Sequence, residues 1–282
     1  MKEITSTANP LVKQTARLQA KEAERKKTGL FVAEGRREVS LAISSGIKAD
    51  KLIICPDYYV ADPAYPVKTE LVDPQNTITV SPGVYDRLAY RKGAEGIIMI
   101  GEQREHREGQ ISLPDNPLIL LVEGTEKPGN LGAIMRTADA AGVDALILAG
   151  ARTGLYNPNT IRASLGCVFT LPVICFSSEE AVRWLEDPAR WSGGKLPGLL
   201  LASLQAEKYY FEQDMTGPCV IALGAEDTGL SSVWDCERAN AVRIPMAGYI
   251  DSLNLSASAA ILTFEAVRQR RLRSSAALQS PS

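Results

Sequence analysis

Three groups of polar and small residues stand where apolar runs end, which is where an open sheet presents ligand-binding groups. The groups are Asn130 with Arg136, then Gly224 with Glu226 and Gly229, and then Ser252, Asn254 and Ser256. They offer a carboxylate, amides, hydroxyls and a guanidinium, a set suited to a small polar ligand. Each group alone has an ordinary explanation, because the asparagines and Ser252 are good helix caps and Arg136 could pair with Asp139.

The strongest positional signal lies between residues 219 and 273. The apolar run at residues 220–223 stops at Gly224 and Glu226, as a buried parallel strand does when it delivers backbone amides and a carboxylate to a sheet edge. A second run, residues 241–245, ends at Met246, and a turn rich in Ser and Asn then opens a long helix. Two strand ends therefore face one helix start, and such a crevice binds small molecules in open α/β sheets.

Several common motifs do not fit. The loop from Gly124 to Asn130 has the glycine spacing of a P-loop, but Asn130 and Leu131 replace the Lys and Ser or Thr that would hold phosphate and magnesium. No GxGxxG follows the strand before it, which disfavours a dinucleotide site. The single histidine, His106, lies in a charged run and is expected to be solvated, so neither a Ser-His-Asp triad nor a histidine metal site is available. No metal site is predicted.

The elements that position these groups alternate between strand and helix. PLILLVEG, VDALILAG, LPVICF and LPGLLLASL read as strands, and LGAIMRTADAAG, NPNTIRASLG and EEAVRWLED read as helices between them. This alternation predicts a mostly parallel sheet. The five cysteines form no CxxC pair and are expected to be buried apolar residues without disulfides or zinc.

The N-terminal part reads as a smaller α/β unit. A basic amphipathic helix runs from Pro10 to near Gly29, followed by strand LFVAE, helix GRREVSLAISSG, strand DKLIICP, and later candidate strands VKTELV and IIMIG. The polar stretch at residues 102–116 holds Pro114 and is the predicted linker. The tail SSAALQSPS is expected to fray.

Composition describes an ordinary globular chain. Of 282 residues, 45% are hydrophobic and 23% charged, and the formal net charge is −2, which argues against a uniformly basic nucleic-acid-coating protein. Residues 1–40 and the last helix are nevertheless locally basic, as either solvated helix faces or phosphate-contacting patches. No apolar run reaches membrane length and the N-terminus lacks the core of a secretion signal, so we expect a cytoplasmic protein.

In order and spacing, the three groups resemble the SpoU/TrmH family of RNA 2′-O-ribose methyltransferases, within the SPOUT superfamily. The matching sequences are PGNLGAIMRTA from Pro128, LGAEDTGL from Leu223, and IPMAG from Ile244 with SLNLS from Ser252. The similarity covers roughly residues 117–270, and NPNTIRASLG also looks like the family's intervening helix. Lys127 departs from the Asn or Asp that the family often has there, and is expected to be a solvated loop residue. Asp251 departs from the common Glu or Ser.

The resemblance implies an α/β fold with a C-terminal SPOUT domain, a mostly parallel sheet and a deep trefoil knot. A small α/β substrate-binding domain that resembles ribosomal RNA-binding proteins would precede it. The predicted boundaries are 1–104 for the RNA substrate-binding domain, 105–116 for the linker, 117–273 for the knotted domain and 274–282 for a flexible tail. Family members act as homodimers with sites near the subunit interface, so a homodimer is expected.

The same resemblance implies S-adenosylmethionine as cofactor. By motif position, the residues expected to bind it are Leu223, Gly224, Ile244, Met246, Ser252 and Leu253. Arg136 is expected to be the base or, because arginine stays protonated at neutral pH, to hold a phosphate and stabilise the developing alkoxide. Asn130 would orient Arg136 or the ribose, Glu226 would hold the arginine or anchor its loop, and Asn254 would complete the pocket.

The sequence therefore predicts a methyltransferase acting on a ribose 2′-hydroxyl, with a guanosine of ribosomal RNA favoured and transfer RNA as the other candidate. A housekeeping role and an antibiotic-resistance role fit equally. The alternative is a non-catalytic RNA-binding or ribosome-assembly factor that keeps the knotted fold, which the intact candidate residues disfavour. Methylation of a small molecule or protein would leave the basic N-terminal part without a purpose.

Overall fold

A computed structural model describes residues 3–90 and 95–279. Its strands are β1 (Glu3–Ile4), β2 (Leu30–Glu34), β3 (Ala49–Ile54), β4 (Thr77–Val80), β5 (Ile97–Glu102), β6 (Leu118–Glu123), β7 (Ala145–Ala149), β8 (Val173–Phe176), β9 (Gly198–Ala202), β10 (Cys219–Leu223) and β11 (Ala239–Val242). Its helices are α1 (Pro10–Ala20), α2 (Glu22–Thr28), α3 (Arg36–Ser44), α4 (Pro82–Leu88), α5 (Pro128–Ala141), α6 (Pro158–Ala163), α7 (Ser178–Leu185) and α8 (Leu255–Gln279).

The chain folds into two compact units. Unit 1 comprises residues up to Glu105 together with Gly154–Thr170, and unit 2 comprises His106–Thr153 and residues from Leu171 onward. The prediction placed the α6 segment in the second domain, whereas the structure packs it within unit 1. There α6 contacts β2, and the ring of Phe31 stacks on Tyr156 and Phe169 with centroid separations of 4.7 and 5.4 Å.

Unit 1 contains a mixed five-stranded sheet in the order β1-β4-β3-β5-β2, with β5 antiparallel to both of its neighbours. The single basic helix predicted up to Gly29 is wrong, because Lys21 adopts an extended backbone and separates α1 from α2. At the break, the Arg25 guanidinium turns back and donates to the carbonyl of Leu18 at 2.7 Å. Burial lowers the pKa of Arg25, so this residue is structural.

The predicted strand VKTELV is also wrong. Its residues form one 3₁₀ turn, Thr69–Leu71, with Leu71 exposed. The sheet instead takes β4, whose last residue Val80 is fully buried and which pairs in parallel with β3 and β1. A strand requires a face to bury, and in VKTELV only Val72 is buried.

Unit 2 contains a six-stranded sheet in the order β11-β9-β10-β6-β7-β8, with every pair parallel. The predicted mostly parallel α/β architecture is thereby confirmed, while the knot stays a prediction. The central strands are uninterrupted apolar runs, and their side chains form a core with Trp184, Trp191 and Trp234. Because all six strands run the same way, their carboxyl ends share one edge.

Several boundaries differ from the prediction. Strand β11 ends at Val242, ahead of the predicted end at residue 245, and helix α8 continues through Gln279, into the predicted tail.

All five cysteines are free, but Cys175 is exposed and Cys236 is partly exposed, so the expected burial holds for only three of them. His106 is half-buried. No helix among the described residues has the length and apolar character needed to span a bilayer.

Candidate functional site

Glu226 is the centre of a hydrogen-bonded cluster that joins the three motifs. Its Oε1 accepts hydrogen bonds from Asn130 Nδ2 at 2.6 Å and from Asn254 Nδ2 at 3.1 Å. Its Oε2 pairs with the ammonium of Lys127. Asn254 Nδ2 also lies 3.2 Å from Asn130 Oδ1. Residues up to 124 positions apart in the chain therefore meet at one point of unit 2.

Two helix starts hold the asparagines of this cluster. Asn130 is the third residue of α5. The helix begins at Pro128, and proline suits this first position because an amide hydrogen has no partner within the helix there. Asn254 precedes α8, and its Oδ1 accepts from the amide and the hydroxyl of Ser256 at 3.0 and 2.6 Å. Asn254 is thus a helix cap, as its type suggests, and the cap turns its NH2 group towards Glu226.

The cluster keeps Glu226 ionised. The hydrogen bond from Lys127 is the largest cause that lowers the pKa of Glu226, and the bond from Asn130 adds to it. The same contact with Glu226 raises the pKa of Lys127. Lys127 was expected to be a solvated loop residue; its side chain is 69% exposed, as expected, and it also pairs with Glu226.

Glu226 is carried on a tight loop after β10. The amides of Ala225 and Gly229 exchange hydrogen bonds with each other's carbonyls at 3.1 and 3.0 Å, which closes the loop. Gly229 has a φ of +68°, and a Cβ on Gly224 would lie 1.9 Å from the carbonyl carbon of Gly229. Any side chain at position 224 would therefore force the loop open, which gives the glycine spacing of this motif a physical reason.

A cleft of about 650 Å³ opens beside the loop at the carboxyl edge of the sheet. Its lining includes every residue predicted to bind the cofactor: Leu223, Gly224, Ile244, Met246, Ser252 and Leu253. Glu226 and Asn254 line it as well. A smaller cavity of about 160 Å³ adjoins it, lined by Lys127, Asn130 and Glu226 among others. Glu226 therefore stands between two spaces, one large enough for a nucleoside cofactor.

The large cleft suits S-adenosylmethionine. Its volume lies within the range of about 300–1,000 Å³ typical of small-molecule sites. The side chains of Leu223, Leu253 and Leu262 provide apolar wall for a base, and three carboxylates, those of Glu226, Asp227 and Asp235, also line it. One guanidinium, that of Arg243, lines the cleft against these three carboxylates, and the negative excess favours a ligand that carries a sulfonium cation.

Two predicted site residues stand outside the cluster. The hydroxyl of Ser252 donates to Asp251 at 3.1 Å, away from Glu226. Arg136 is exposed, and within the described residues its guanidinium has no hydrogen-bond or ion-pair partner. Six helical positions separate it from Asn130, which turns it about 120° around α5. The structure thus joins Asn130, Glu226 and Asn254. Arg136 lies on another side of α5 and does not pair with Asp139.

Sequence reasoning missed Glu123, the last residue of β6. Its buried carboxylate accepts hydrogen bonds from Ser178 and from both the amide and the hydroxyl of Ser231. The available signal was an acidic residue at the end of an apolar strand, in the same position as the polar residues that follow β10. Among the described residues no group of side chains has the composition of a metal site.

Comparison with known proteins identifies both halves of the chain. Residues 117–264 match the model of the SpoU rRNA Methylase family, and residues 9–99 match an MRM3-like substrate binding domain. The 23S rRNA (uridine(2479)-2′-O)-methyltransferase of Streptomyces viridochromogenes is 30% identical over 292 residues, covering 95% of each chain. The 23S rRNA (guanosine-2′-O-)-methyltransferase RlmB of Pseudomonas putida is 34% identical over 158 residues, covering 56% of this chain and 61% of that protein.

A similar fold is seen in the crystal structure of an AdoMet-bound rRNA methyltransferase from Sinorhizobium meliloti. It aligns with a TM-score of 0.81 at 31% identity and covers 95% of this chain and 97% of that one. The similarity therefore extends over both units rather than over the second alone.

Proposed function

Because this chain belongs to the SpoU rRNA methylase family and is an S-adenosylmethionine-dependent RNA 2′-O-ribose methyltransferase, we propose that it methylates a guanosine of 23S ribosomal RNA. The observation that carries the assignment of the site is the meeting of Asn130, Glu226 and Asn254 at the edge of the large cleft. Action on ribosomal RNA would place the protein in the cytoplasm. Transfer RNA is the other substrate class to test.

The residues of unit 2 divide into those that hold the cofactor and those that hold the ribose. Bound in the large cleft, S-adenosylmethionine supplies a methyl group on a sulfonium, already activated towards displacement. Leu223, Gly224 and Leu253 enclose it, with Ile244, Met246 and Ser252 beside them. Asn130 lines the smaller cavity and Asn254 lines the large cleft. Together they orient the ribose, while Glu226 fixes both amides. Alignment of the 2′-oxygen with the methyl group supplies much of the catalysis.

Arg136 completes the reaction by accepting the 2′-hydroxyl proton as the base, or by stabilising the negative charge that develops on the 2′-oxygen while the proton passes to solvent. On α5, Arg136 is turned about 120° away from Asn130 and the cluster of its own chain. We infer that the protein is a homodimer in which Arg136 of one protomer serves the site of the other. Exposed apolar side chains on α8, Phe264 and Leu272, offer surface for such an association.

A mixed-dimer experiment tests this arrangement. Arg136→Ala and Glu226→Ala should each abolish methyl transfer, and Arg136→Ala should leave cofactor binding intact. If Arg136 acts across the interface, mixing the two inactive proteins under exchange restores one complete site in each heterodimer, or about a quarter of wild-type activity. Activity that stays at zero, although heterodimers form, would place Arg136 in the site of its own chain.

The target base has two candidates. Guanosine follows from the sequence prediction and from the RlmB relatives, whose similarity is concentrated in the methyltransferase part. Uridine is favoured by the Streptomyces relative, because that alignment extends over 95% of both chains and so includes the substrate-binding part. RNA recognition depends on loops and shape, so the N-terminal unit decides between them.

Transfer of labelled methyl from S-adenosylmethionine to unmodified RNA tests the function directly. Ribosomal RNA, ribosomal subunits and transfer RNA are compared as acceptors, followed by nuclease digestion and nucleoside analysis. A labelled 2′-O-methylguanosine from ribosomal RNA is expected, and 2′-O-methyluridine would favour the second candidate. Absence of label in every acceptor, with cofactor binding intact, would support an RNA-binding or ribosome-assembly factor instead.

A further inference from the structure

Glu123 is a buried anion without a cation. It is 7% exposed, and no Lys or Arg in the described ranges pairs with it. Its Oε1 accepts from Ser178 Oγ and, at 2.7 Å, from Ser231 Oγ, and its Oε2 accepts from the amide of Ser231 at 2.7 Å. Burial alone would raise the pKa of Glu123, but these hydrogen bonds outweigh it and the pKa lies below its ordinary value. The group is ionised at neutral pH.

Burying a carboxylate is costly unless hydrogen bonds or a counter-charge compensate it, so the donors that Glu123 uses identify the segments that it ties together. Two of the three bonds go to one residue, Ser231, which lies 108 positions away and lines the large cleft. Ser231 directly follows the loop of residues 224–230 that carries Glu226. At its other end the same loop is fixed by the close approach of Gly224 to Gly229. Glu123 therefore provides the second anchor of this loop.

We propose that Glu123 is a positioning residue of the cofactor site, which holds the loop of residues 224–231 in the conformation that binds S-adenosylmethionine. It acts through Ser231 and does not touch the reacting atoms. Loss of the Glu123 hydrogen bonds lowers the fraction of molecules whose loop has the binding-competent conformation. The apparent dissociation constant for the cofactor equals the intrinsic constant divided by that fraction, so it rises. Saturating cofactor restores the loop, so the maximal rate changes little. The inference rests on the assignment of the large cleft to the cofactor.

Glu123→Gln tests this proposal because it keeps the shape of the side chain while one acceptor oxygen becomes a donor NH2 facing the Ser231 and Ser178 donors. We expect the dissociation constant and KM for S-adenosylmethionine to rise about tenfold or more, with kcat at saturating cofactor within about twofold. Ser231→Ala keeps the backbone bond and should give a smaller rise. The double variant should be no worse than Glu123→Gln, because both changes break the same link.

The matched control is Asp144→Asn. Asp144 lies outside β6, but its carboxylate binds the first residue of β6, the strand that ends at Glu123. The Asp144 carboxylate accepts the amide of Leu118 at 2.7 Å, at the start of β6 and away from the cleft. Its loss should lower thermal stability and leave cofactor affinity unchanged. Equal losses of affinity in Asp144→Asn and Glu123→Gln would overturn the proposal, since general destabilisation would explain both. Should Glu123→Gln fail to fold, Ser231→Ala alone decides, and an unchanged dissociation constant rejects the proposal.

Gly224→Ala separates failure of this inference from failure of the site assignment. Its Cβ would collide with the Gly229 backbone, so it should abolish cofactor binding. If Gly224→Ala abolishes binding and Glu123→Gln has no effect, the positioning role is wrong and the cleft assignment stands. If neither variant affects binding, the cofactor occupies another site and both are wrong.

Discussion

At the scale of single residues, the site depends on how one carboxylate is shared. Glu226 binds two asparagine amides on one oxygen and an ammonium on the other. Each asparagine side chain has a donor NH2 group and an acceptor oxygen. Because the Glu226 carboxylate only accepts, it fixes which of these two groups points towards it. Lys127 keeps this acceptor negatively charged. The departure from the family pattern at position 127 therefore contributes to the site, although the Lys127 side chain itself is mostly exposed.

The first prediction concerns Lys127→Ala and pH. The pKa of Glu226 in the folded protein lies below its ordinary value. The ionised carboxylate therefore stabilises the site above the ordinary carboxyl pKa, and this stabilisation is lost as the pH falls through the lowered pKa. Loss of the ammonium removes the main cause of that depression. In a profile of kcat/KM for RNA against pH, the acidic limb of Lys127→Ala should therefore lie at higher pH than that of the wild type.

Lys195→Ala, a change of an exposed lysine in the same unit, serves as control and should reproduce the wild-type limb. Coincident acidic limbs for Lys127→Ala and the wild type would show that Glu226 does not depend on Lys127 during turnover.

At the scale of elements, the basic residues of the last helix prove to be largely structural. Arg270 donates to four backbone carbonyls, those of Asn116, Pro117, Met215 and Gly217. These carbonyls lie just before β6 and β10, so one guanidinium ties the starts of the two central strands to α8. Arg268 pairs with Glu265 and Arg273 donates to Thr216. The interpretation of this helix as a phosphate-contacting patch is weakened, because three of its four arginines have partners within the chain.

The second prediction follows from Arg270. Arg270→Ala leaves four carbonyls without their charged donor and should destabilise unit 2 by about 3 kcal/mol. Thermal unfolding of the full chain measures this as an earlier transition. Arg271→Ala, on the exposed side of the same helix, should change stability by no more than about 0.5 kcal/mol. The salt dependence of RNA binding should be unaffected by Arg270→Ala; a shallower slope would return Arg270 to the RNA surface.

The elements of unit 2 could be predicted because their signals are local. Buried parallel strands appear as uninterrupted apolar runs, and the helices between them begin and end at recognisable Asn, Pro and Gly residues. The features that escaped prediction depend on distant partners. The docking of α6 in unit 1 requires β2, and the role of Glu123 requires partners 55 and 108 positions away. No pattern within a short window contains that information.

The site could be predicted in part for the same reason. Motif order and spacing identified Asn130, Glu226 and Asn254, and the structure brings them together. Spacing turns Arg136 about 120° from Asn130 on a helix, but spacing did not indicate which side of α5 meets Glu226 and Asn254. It also did not indicate Lys127 as the partner of Glu226, since the pairing depends on a loop 99 residues away.

At the scale of the whole molecule, the order of the chain and the division into units do not coincide. Unit 1 is completed by Gly154–Thr170, a segment that leaves unit 2 after β7 and returns before β8. Inside unit 1 this segment buries Ile161, Val168 and Phe169, and Phe169 stacks on Phe31 from β2. The substrate-binding unit is thus assembled from two stretches of chain, one of which lies within the methyltransferase sequence.

The last prediction follows from this discontinuity. Deletion of residues 1–105 removes the partners of Gly154–Thr170 and exposes apolar side chains that each gain about 1.5–3 kcal/mol from burial. The truncated protein should therefore aggregate on heating, and size-exclusion chromatography should detect the aggregates.

Replacement of residues 154–170 by a short Gly/Ser linker in the same truncation should restore a monodisperse protein that still binds S-adenosylmethionine and has lost affinity for RNA. If the simple truncation is already as monodisperse and as heat-stable as the linker variant, the segment belongs to unit 2, as the sequence alone suggested.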